Sequence, residues 1–319
     1  MKVLIPDKVN EKATEILKEN GLEVENKPGI SVEELIRICG DADAMIVRSG
    51  IKVTKEVIDA AKNLKVVARA GVGYDNIDAE YAAGKGVVVE NTPFGNTNAA
   101  AEHTLTMLMM LSKHIIHSSL ELKGGVWDRK KYKATELKGK TLGIVGFGNV
   151  GKKVAKVANA LEMDVICSDP FVDEETMKEA GIRKTEFEEL IKEADYITVH
   201  VPLNDKTRNM ISGKEFSMMK GGVGILNVAR GGVINEKELE KAVLSGKVGT
   251  AALDVYEQEP PICQSLIAHD RVICTPHLGA STKEAQLNVA IDAANQVVKA
   301  LKEGKVENCV NGLAEVKKE

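Results

Sequence analysis

One stretch of the sequence decides the fold: residues 142–151, LGIVGFGNVG. An aliphatic run leads into a G-x-G-x-x-G pattern, and a helical pattern follows it. Gly146 permits a tight turn, Gly148 lets a pyrophosphate approach the backbone, and Gly151 lets the helix pack closely on the strand. The unpaired amides at the start of that helix would face the phosphates. The stretch therefore predicts a strand, a turn and a helix that bind a dinucleotide.

Asp169 identifies the dinucleotide more closely. It lies 18 residues beyond Gly151, just after a second apolar run at residues 165–167. A Rossmann fold places at this point the carboxylate that accepts hydrogen bonds from the adenosine ribose. No Arg or Lys occurs at residues 170–173, so a ribose 2′-phosphate is offered no cation. The pattern favours NAD over NADP.

The rest of the chain repeats the alternation of strand and helix. Short aliphatic runs occur at residues 3–5, 44–47, 66–68, 87–89, 141–145, 165–167, 196–199, 224–227, 251–254 and 272–274. Helical patterns fill the gaps, and residues 97–123 and 283–303 form the longest of them. This order is typical of parallel α/β architecture. We expect an α/β fold with two Rossmann-like parallel-sheet domains.

The composition excludes several classes of protein. The 319 residues carry 43 Lys and Arg against 47 Asp and Glu, a formal net charge of −4. Without a basic field, the chain is not expected to bind nucleic acid or a membrane. No apolar run approaches the roughly 18 residues that a membrane span needs, and residues 1–7 lack the features of a signal peptide. We therefore expect a cytoplasmic protein.

The five cysteines do not form a recognisable framework. They are Cys39, Cys167, Cys263, Cys274 and Cys309. Their number is odd and none are spaced as CxxC, which fits neither a set of disulfides nor a structural zinc site. We expect free thiols and no metal site.

Three segments late in the chain place polar side chains at the ends of predicted strands. They are residues 227–232 (NVARGG), 254–260 (DVYEQEP) and 275–280 (TPHLGA). Ligands of open α/β sheets bind at strand ends. Hydride transfer at a carbon that bears oxygen needs a proton carrier and an anion clamp, and these segments supply a histidine and an arginine.

The order of these motifs resembles the D-isomer-specific 2-hydroxyacid dehydrogenases over essentially the whole chain. Further matching segments are residues 47–50 (VRSG), 69–78 (RAGVGYDNID), 91–93 (NTP) and 101–104 (AEHT). Residues 277–286 (HLGASTKEAQ) point to the phosphoglycerate branch of the family. That branch oxidises 3-phospho-D-glycerate to 3-phosphohydroxypyruvate with NAD, at the entry to serine biosynthesis. The resemblance implies the same activity here.

The resemblance also implies three catalytic residues. Arg230 would hold the carboxylate and carbonyl oxygen of the substrate with its planar fork of donors. His277 would take the hydroxyl proton during oxidation, and Glu259 would hydrogen-bond its imidazole and set its tautomer. Glu257 competes for this last role, but the family motif places the glutamate directly before a proline, which favours Glu259.

The remaining histidines are interpreted as structural. His200 is a strand-end residue and the next candidate base, whereas His103, His114 and His117 are expected to be packing or surface residues of the long helix.

Binding residues follow from the same resemblance. Cofactor contacts are expected from Val72, Gly146, Gly148, Asn149, Val150, Gly151, Asp169, Val201, Val228, Ala229, Arg230, Asp254, His277, Gly279 and Ala280. Substrate contacts are expected from Arg48, Ser49, Gly50, Arg69, Gly71, Val72, Gly73, Arg230 and His277. Arg48 and Arg69 would bind the phosphate. The cluster at residues 129–131 (RKK) would either add a charge to a neighbouring subunit's site or form a solvated turn.

Residues 1–97 with 286–319 are expected to form the substrate-binding domain, and residues 98–285 the NAD-binding domain. The active site would lie in the cleft between them. Family members dimerise through the inner domain, and the apolar residues 105–116 fit either a dimer interface or the core. Because the sequence ends at Glu319, we expect no regulatory domain of the kind that larger members append.

Two other functions stay open. A hydroxypyruvate, glyoxylate or other D-2-hydroxyacid reductase would share the chemistry and differ in substrate. An NAD-sensing protein of the corepressor type would keep the fold and act through protein contacts.

Overall fold

The computed structural model describes residues 1–316 and divides the chain into two compact units. Unit 1 consists of Met1–Asn96 and the chain from Thr282 onward, and unit 2 is Thr97–Ser281. Within the described residues, no helix is both long and apolar enough to cross a membrane.

The elements alternate along the chain. The strands are β1 (Lys2–Ile5), β2 (Glu23–Asn26), β3 (Ala44–Val47), β4 (Val66–Arg69), β5 (Val88–Asn91), β6 (Thr141–Val145), β7 (Asp164–Ser168), β8 (Arg183–Lys184), β9 (Tyr196–Val199), β10 (Val223–Asn227), β11 (Val248–Leu253) and β12 (Val272–Cys274). The helices are α1 (Lys12–Glu19), α2 (Val32–Ile38), α3 (Lys55–Ala60), α4 (Ala79–Lys85), α5 (Thr97–Lys113), α6 (Ile115–Lys123), α7 (Asn149–Ala160), α8 (Glu174–Glu179), α9 (Phe187–Glu193), α10 (Gly213–Met218), α11 (Glu236–Leu244), α12 (Gln264–Ile267) and α13 (Lys283–Glu303).

Unit 1 is built on a parallel sheet with the strand order β2-β1-β3-β4-β5. Strand β3 (AMIV) is buried along its whole length because helices cover both faces of the sheet. One cover is α13, which packs on α1, β3 and β4. Its buried face consists of small and branched residues at helical spacing, among them Ala290, Ala293, Ala294 and Val297.

Unit 2 is built on a seven-stranded parallel sheet with the order β12-β11-β10-β9-β6-β7-β8. Strand order reverses at β6, so the glycine loop after β6 lies at the switch point where such sheets bind ligands. Strands β10, β11 and β12 are neighbours, and being parallel they end at the same edge. The predicted fold class is confirmed.

The prediction of one continuous helix over residues 97–123 is wrong in one respect, because the helix is interrupted at His114. Its backbone φ is +52°, in the left-handed region, so α5 ends at Lys113 and α6 begins at Ile115. On α5, Leu105, Met107, Leu108 and Leu111 are buried in the core of unit 2. The apolar pattern of residues 105–116 is therefore explained largely by burial in that core.

Candidate active site

The three glycines after β6 differ in their surroundings. Gly146 has a φ of +99°, and a Cβ there would lie 2.6 Å from the carbonyl oxygen of His200. At Gly151 a Cβ would lie 2.2 Å from the oxygen of Gly146, which is how α7 approaches the strand so closely. A Cβ at Gly148 would meet no described atom within 4 Å. The middle glycine therefore faces open space, as a cradle for a pyrophosphate requires.

Asp169 is fixed to this glycine loop. Its Oδ2 accepts a hydrogen bond of 2.7 Å from the amide of Phe147, and its Oδ1 accepts one of 2.8 Å from the amide of Phe171. The carboxylate follows β7, the strand next to β6, and is only half-buried. Its lone pairs that are not engaged by these amides can therefore accept from ribose hydroxyls. The group fits the adenosine end of a dinucleotide.

The ends of β11 and β12 bring His277 and Glu259 together. Nδ1 of His277 lies 2.8 Å from Oε2 and 3.0 Å from Oε1 of Glu259. Because a carboxylate only accepts, Nδ1 must carry the proton, which leaves Nε2 as the free ring nitrogen. The two side chains are 45% and 41% exposed. A substrate can therefore reach Nε2, as a general base requires.

The backbone of His277 is itself unusual. Its φ is +55°, a conformation that costs a non-glycine residue free energy and that clusters at functional sites. Two hydrogen bonds hold it there, from His277 N to the carbonyl oxygens of Asp254 (2.9 Å) and Thr275 (3.0 Å). The surrounding chain therefore determines where the imidazole points.

The carboxylate of Asp254 accepts hydrogen bonds from the loop that contains His277. It is fully buried and accepts 2.7 Å hydrogen bonds from the amides of Leu278 and Gly279, and one of 2.6 Å from the hydroxyl of Thr275. Burial alone would raise the pKa of Asp254, but the hydrogen bonds of His103, Thr275 and the two amides lower it below its ordinary value. Asp254 is therefore a buried anion that anchors the turn after His277.

Arg230 lies in the loop after β10. The side chain of Asn227 hydrogen-bonds the backbone of this loop at two points. Asn227 accepts a 3.1 Å hydrogen bond from Ala229 N and donates one of 2.9 Å to the oxygen of Arg230. A Cβ at Gly231 would lie 1.7 Å from the oxygen of Tyr256, so the loop packs backbone to backbone on the loop of Glu259. The half-buried guanidinium donates to the oxygen of Ala229 at 2.6 Å. The loop therefore holds Arg230 at the sheet edge that also carries His277.

The structure decides between the two glutamates that compete for His277. Oε1 of Glu257 accepts a 3.0 Å hydrogen bond from the amide of Glu236, and the carboxylate of Glu236 accepts the amide of Glu257 in return. This reciprocal pair ties the loop after β11 to the start of α11. Glu257 is thereby occupied, and Glu259 is the residue that reaches His277.

One histidine that sequence reasoning interpreted as packing lies against this network. Nε2 of His103, on α5, is 3.0 Å from Oγ1 of Thr275 and 3.4 Å from Oδ1 of Asp254. Its position beside Glu102 in a matching family segment was the only signal in the sequence. His200 differs: burial lowers its pKa to about 4, and its Nε2 bonds Oγ1 of Thr198 at 3.1 Å. A neutral His200 matches the interpretation of a structural residue at a strand end.

The other expected cofactor residues of unit 2 follow strand ends or begin α7. Asn149 and Val150 open α7, Val201 follows β9, Val228 and Ala229 follow β10, and Gly279 and Ala280 follow His277.

In unit 1 the expected substrate residues follow β3 and β4. The guanidinium of Arg69 lies over Gly71, where a Cβ would be 1.4 Å from Nη1, and donates to the oxygen of Ala70 at 3.1 Å. Val72 accepts a 2.7 Å hydrogen bond from Asn91. Gly73 follows in the same loop.

Two substrate expectations meet competing contacts within the chain. The amide of Gly50 donates to Oδ2 of Asp7 at 2.9 Å and so is engaged by a carboxylate rather than presented to a ligand. Lys131, in the basic cluster at residues 129–131, forms an ion pair with Glu121 of its own chain and lies over the ring of Tyr132. Ser49 is exposed, and its amide makes no hydrogen bond within residues 1–316.

Comparisons with known proteins agree on one family. Residues 105–279, more than half of the chain, match the family described as "D-isomer specific 2-hydroxyacid dehydrogenase, NAD binding domain". A D-3-phosphoglycerate dehydrogenase of Archaeoglobus fulgidus is 47% identical over 312 residues, and one of Methanocaldococcus jannaschii is 45% identical over 312 residues. Both alignments cover 98% of this chain and 59% of the relative, so the chain spans about three-fifths of the relatives' length.

A solved structure shows the same fold over almost the whole chain. The D-lactate dehydrogenase of Aquifex aeolicus, crystallised with NAD and lactic acid, is 30% identical with a TM-score of 0.87. The match covers 98% of this chain and 100% of that structure.

Proposed function

The chain belongs to the D-isomer specific 2-hydroxyacid dehydrogenases, and from that premise we propose that it oxidises 3-phospho-D-glycerate to 3-phosphohydroxypyruvate with NAD. The observation that carries the chemistry is the 2.8 Å contact of His277 Nδ1 with Glu259 Oε2, on a sheet edge shared with Arg230. The observation that favours this substrate is the 47% and 45% identity to relatives named D-3-phosphoglycerate dehydrogenase.

The proton and the hydride leave the substrate along separate routes. Nε2 of His277 takes the hydroxyl proton, while Glu259 stabilises the imidazolium that forms. Arg230 binds the carboxylate and the oxygen that becomes the carbonyl. The glycine loop after β6 and Asp169 would hold NAD, which would supply the acceptor for the hydride of carbon 2. One 2-hydroxy acid and one NAD thus give one 2-oxo acid, one NADH and one proton.

The two units have different roles in this proposal. Unit 2 is the NAD-binding domain, and the open cradle at Gly148 with the half-buried carboxylate of Asp169 supports this role. Unit 1 is the substrate-binding domain, and two cations at strand ends, Arg48 directly after β3 and Arg69 at the end of β4, support that role.

We also propose a cytoplasmic homodimer that serves serine biosynthesis. All five cysteines are free, as a reducing compartment would maintain them. Exposed apolar side chains gather on α6 and the segment after it: Ile115, Leu120, Leu122, Val126 and Trp127. A surface of this kind is suited to burial between subunits.

A reductase that forms a different D-2-hydroxy acid from its 2-oxo acid is the second candidate, favoured by the structural match to a D-lactate dehydrogenase. A panel assay separates the two. NADH formation is measured with 3-phospho-D-glycerate, D-glycerate and D-lactate, and the reverse reaction with hydroxypyruvate and glyoxylate. We expect kcat/KM to be highest for the phosphorylated acid, and a preference for any other substrate would contradict the proposal.

The corepressor-type alternative predicts a different result. Such a protein would bind NADH tightly and turn over every substrate of the panel slowly. We expect instead a kcat within the ordinary enzymatic range of about 1–1,000 per second.

A further inference from the structure

We propose that Asp7 and Asn76 are positioning residues, which clamp the loop at residues 48–51 from two sides and so present the amide of Ser49 to the carboxylate or phosphate of the substrate. The inference rests on the proposed function, because it assumes that this loop binds an anionic 2-hydroxy acid. Neither Asp7 nor Asn76 touches the substrate in this proposal; both act through the backbone of the loop.

Asp7 holds the amide side of the loop. Its Oδ2 accepts 2.9 Å hydrogen bonds from both Arg48 N and Gly50 N, and its Oδ1 accepts one of 2.8 Å from Lys8 N. The two amides that flank Ser49 therefore point to one carboxylate oxygen. The amide of Ser49 lies between these two in the chain and makes no hydrogen bond to Asp7 or to any other atom within residues 1–316.

Asn76 holds the carbonyl side of the same loop. Its Nδ2 donates 2.7 Å hydrogen bonds to the oxygens of Arg48 and Ile51. The backbone carbonyl oxygen of Asn76 accepts a 2.9 Å hydrogen bond from the amide of Val53, which fixes the backbone just after the loop. An amide side chain is required here, because both partners are acceptors and a carboxylate would repel them.

The strand order explains why these two residues can act together. Strand β3 leads into the loop and lies between β1 and β4 in the parallel sheet. Asp7 follows β1, and Asn76 lies in the connection that follows β4. Because parallel strands end at the same edge, the loop after the central strand is reached from both neighbours.

The amides of Arg48 and Gly50 are engaged by Asp7. Two amides of the loop make no hydrogen bond within residues 1–316, those of Ser49 and Ile51, and only Ser49 is an exposed residue, because Ile51 is buried. The clamp therefore leaves the Ser49 amide as the donor that a ligand can reach. A backbone amide that belongs to an exposed residue and is held in place by its two neighbours is a suitable donor to an anion. Fixing it in advance removes the ordering cost that a mobile loop would impose on binding.

Two isosteric substitutions, Asp7→Asn and Asn76→Asp, are expected to affect KM differently. Asp7→Asn keeps a carbonyl oxygen that can accept from both flanking amides, so we expect KM within about threefold of the wild type. Asn76→Asp preserves size but puts an acceptor against two carbonyls, so we expect KM to rise at least about tenfold with kcat changed less than about threefold. We expect Asp7→Ala to raise KM about as much as Asn76→Asp does, since it removes the acceptor altogether.

The control and the second readout separate positioning from stability. Ser31→Ala also removes one side chain to backbone bond from unit 1, the 3.2 Å cap that Ser31 Oγ accepts from Glu34 N, but far along the chain from the loop. It should lower Tm without raising KM. The NADH dissociation constant, read by fluorescence, should stay within about twofold in all four variants, because the cofactor is assigned to unit 2.

Kinetics are measured with whichever acid of the panel the wild type uses best. If that acid is not phosphorylated, the proposed substrate is wrong while the clamp is still tested, since every acid of the panel carries the carboxylate. Equal KM values in Asn76→Asp, Asp7→Ala and wild type would overturn the positioning role. A rise in KM for Asp7→Asn as large as that for Asp7→Ala would do the same.

Discussion

Oγ1 of Thr275 lies 2.6 Å from Oδ1 of Asp254. The hydroxyl has one proton, and it must point to the carboxylate, which can only accept. Nε2 of His103, 3.0 Å from the same hydroxyl, therefore has to be the donor in that contact. A chain of hydrogen bonds thus runs from α5 to the buried anion that holds the amides after His277.

This chain predicts a tautomer for His103, with the proton on Nε2. Nitrogen chemical shifts from NMR should report it, and a neutral ring protonated only at Nδ1 would contradict it. We expect His103→Leu to cost about 1 kcal/mol of stability, the usual net value of one hydrogen bond, and to lower kcat several-fold, on the order of 3- to 10-fold. His117→Leu on α6 is the matched control and should change kcat little.

Removal of the proposed base should have a much larger effect. We expect His277→Ala to lower kcat by about two to four orders of magnitude with NADH affinity nearly unchanged. If most of the turnover remained, His277 would not be the base.

The two glutamates near His277 provide an internal comparison. Glu259→Gln removes the anion that stabilises the imidazolium, so we expect kcat to fall about tenfold or more. Glu257→Gln keeps an oxygen for the amide of Glu236 and should retain kcat within about twofold. Equal losses in the two variants would contradict the assignment of Glu259.

The parts of the site that were predictable from the sequence are local in the chain. Gly146, Gly148 and Gly151 lie within six residues, and their spacing alone predicts a tight turn that leads into a helix. The contact of His103 with Thr275 joins residues 172 positions apart, and it depends on how α5 packs on the sheet. No periodicity or spacing in the sequence expresses that packing.

Two other findings show the same limit. The family motif favoured Glu259 over Glu257, but the physical reason, the engagement of Glu257 by Glu236 of another element, could not be predicted from the sequence. The break at His114 depends on a left-handed backbone that its side chain does not require. Neither the Glu236 contact nor the backbone conformation of His114 follows from local sequence preference.

Asp169 should exclude NADP. A 2′-phosphate would be placed beside this carboxylate, and like charges repel, so we expect NADP to bind at least about a hundredfold more weakly than NAD. Titration by fluorescence at moderate salt measures both. Asp169→Asn should narrow the gap, whereas Asp173→Asn, at a carboxylate that instead caps α8 through a 2.7 Å bond from Thr176 N, should not. Equal affinities in the wild type would overturn the prediction.

Arg48 and Arg69 should discriminate in favour of the phosphorylated acid. A charge-assisted hydrogen bond contributes about 1.5–3 kcal/mol, so we expect Arg48→Ala and Arg69→Ala each to lower kcat/KM for 3-phosphoglycerate by roughly 10- to 150-fold more than for D-glycerate. Lys131→Ala is the comparison, because Lys131 already pairs with Glu121 in its own chain. Should all three variants affect both substrates equally, the phosphate assignment fails. A selective loss in Lys131→Ala would instead show that this cation reaches the substrate.

Glu90 should make unit 1 less stable as pH rises. Its side chain is fully buried on β5, where Oε1 accepts a 2.6 Å hydrogen bond from Glu307 N and Oε2 has no partner among the described residues. Burial raises the pKa of Glu90 from 4.5 to about 7, against the opposing effects of that amide and of Lys299. The folded state therefore holds a proton that the unfolded chain has already released.

The sign follows from that difference. Between pH 4.5 and about 7 the folded protein binds more protons than the unfolded chain, so stability falls as pH rises through this window. From about pH 5.5 to about pH 8 the loss from this one group should be about 2 kcal/mol. Glu90→Gln removes the titration and keeps an acceptor for Glu307 N. Urea unfolding at the two pH values should show a dependence weaker by about that amount, with the variant more stable than wild type at the higher pH. The exposed Glu19→Gln is the control, and an unchanged pH dependence in Glu90→Gln would mean that the buried carboxyl ionises at its ordinary pH.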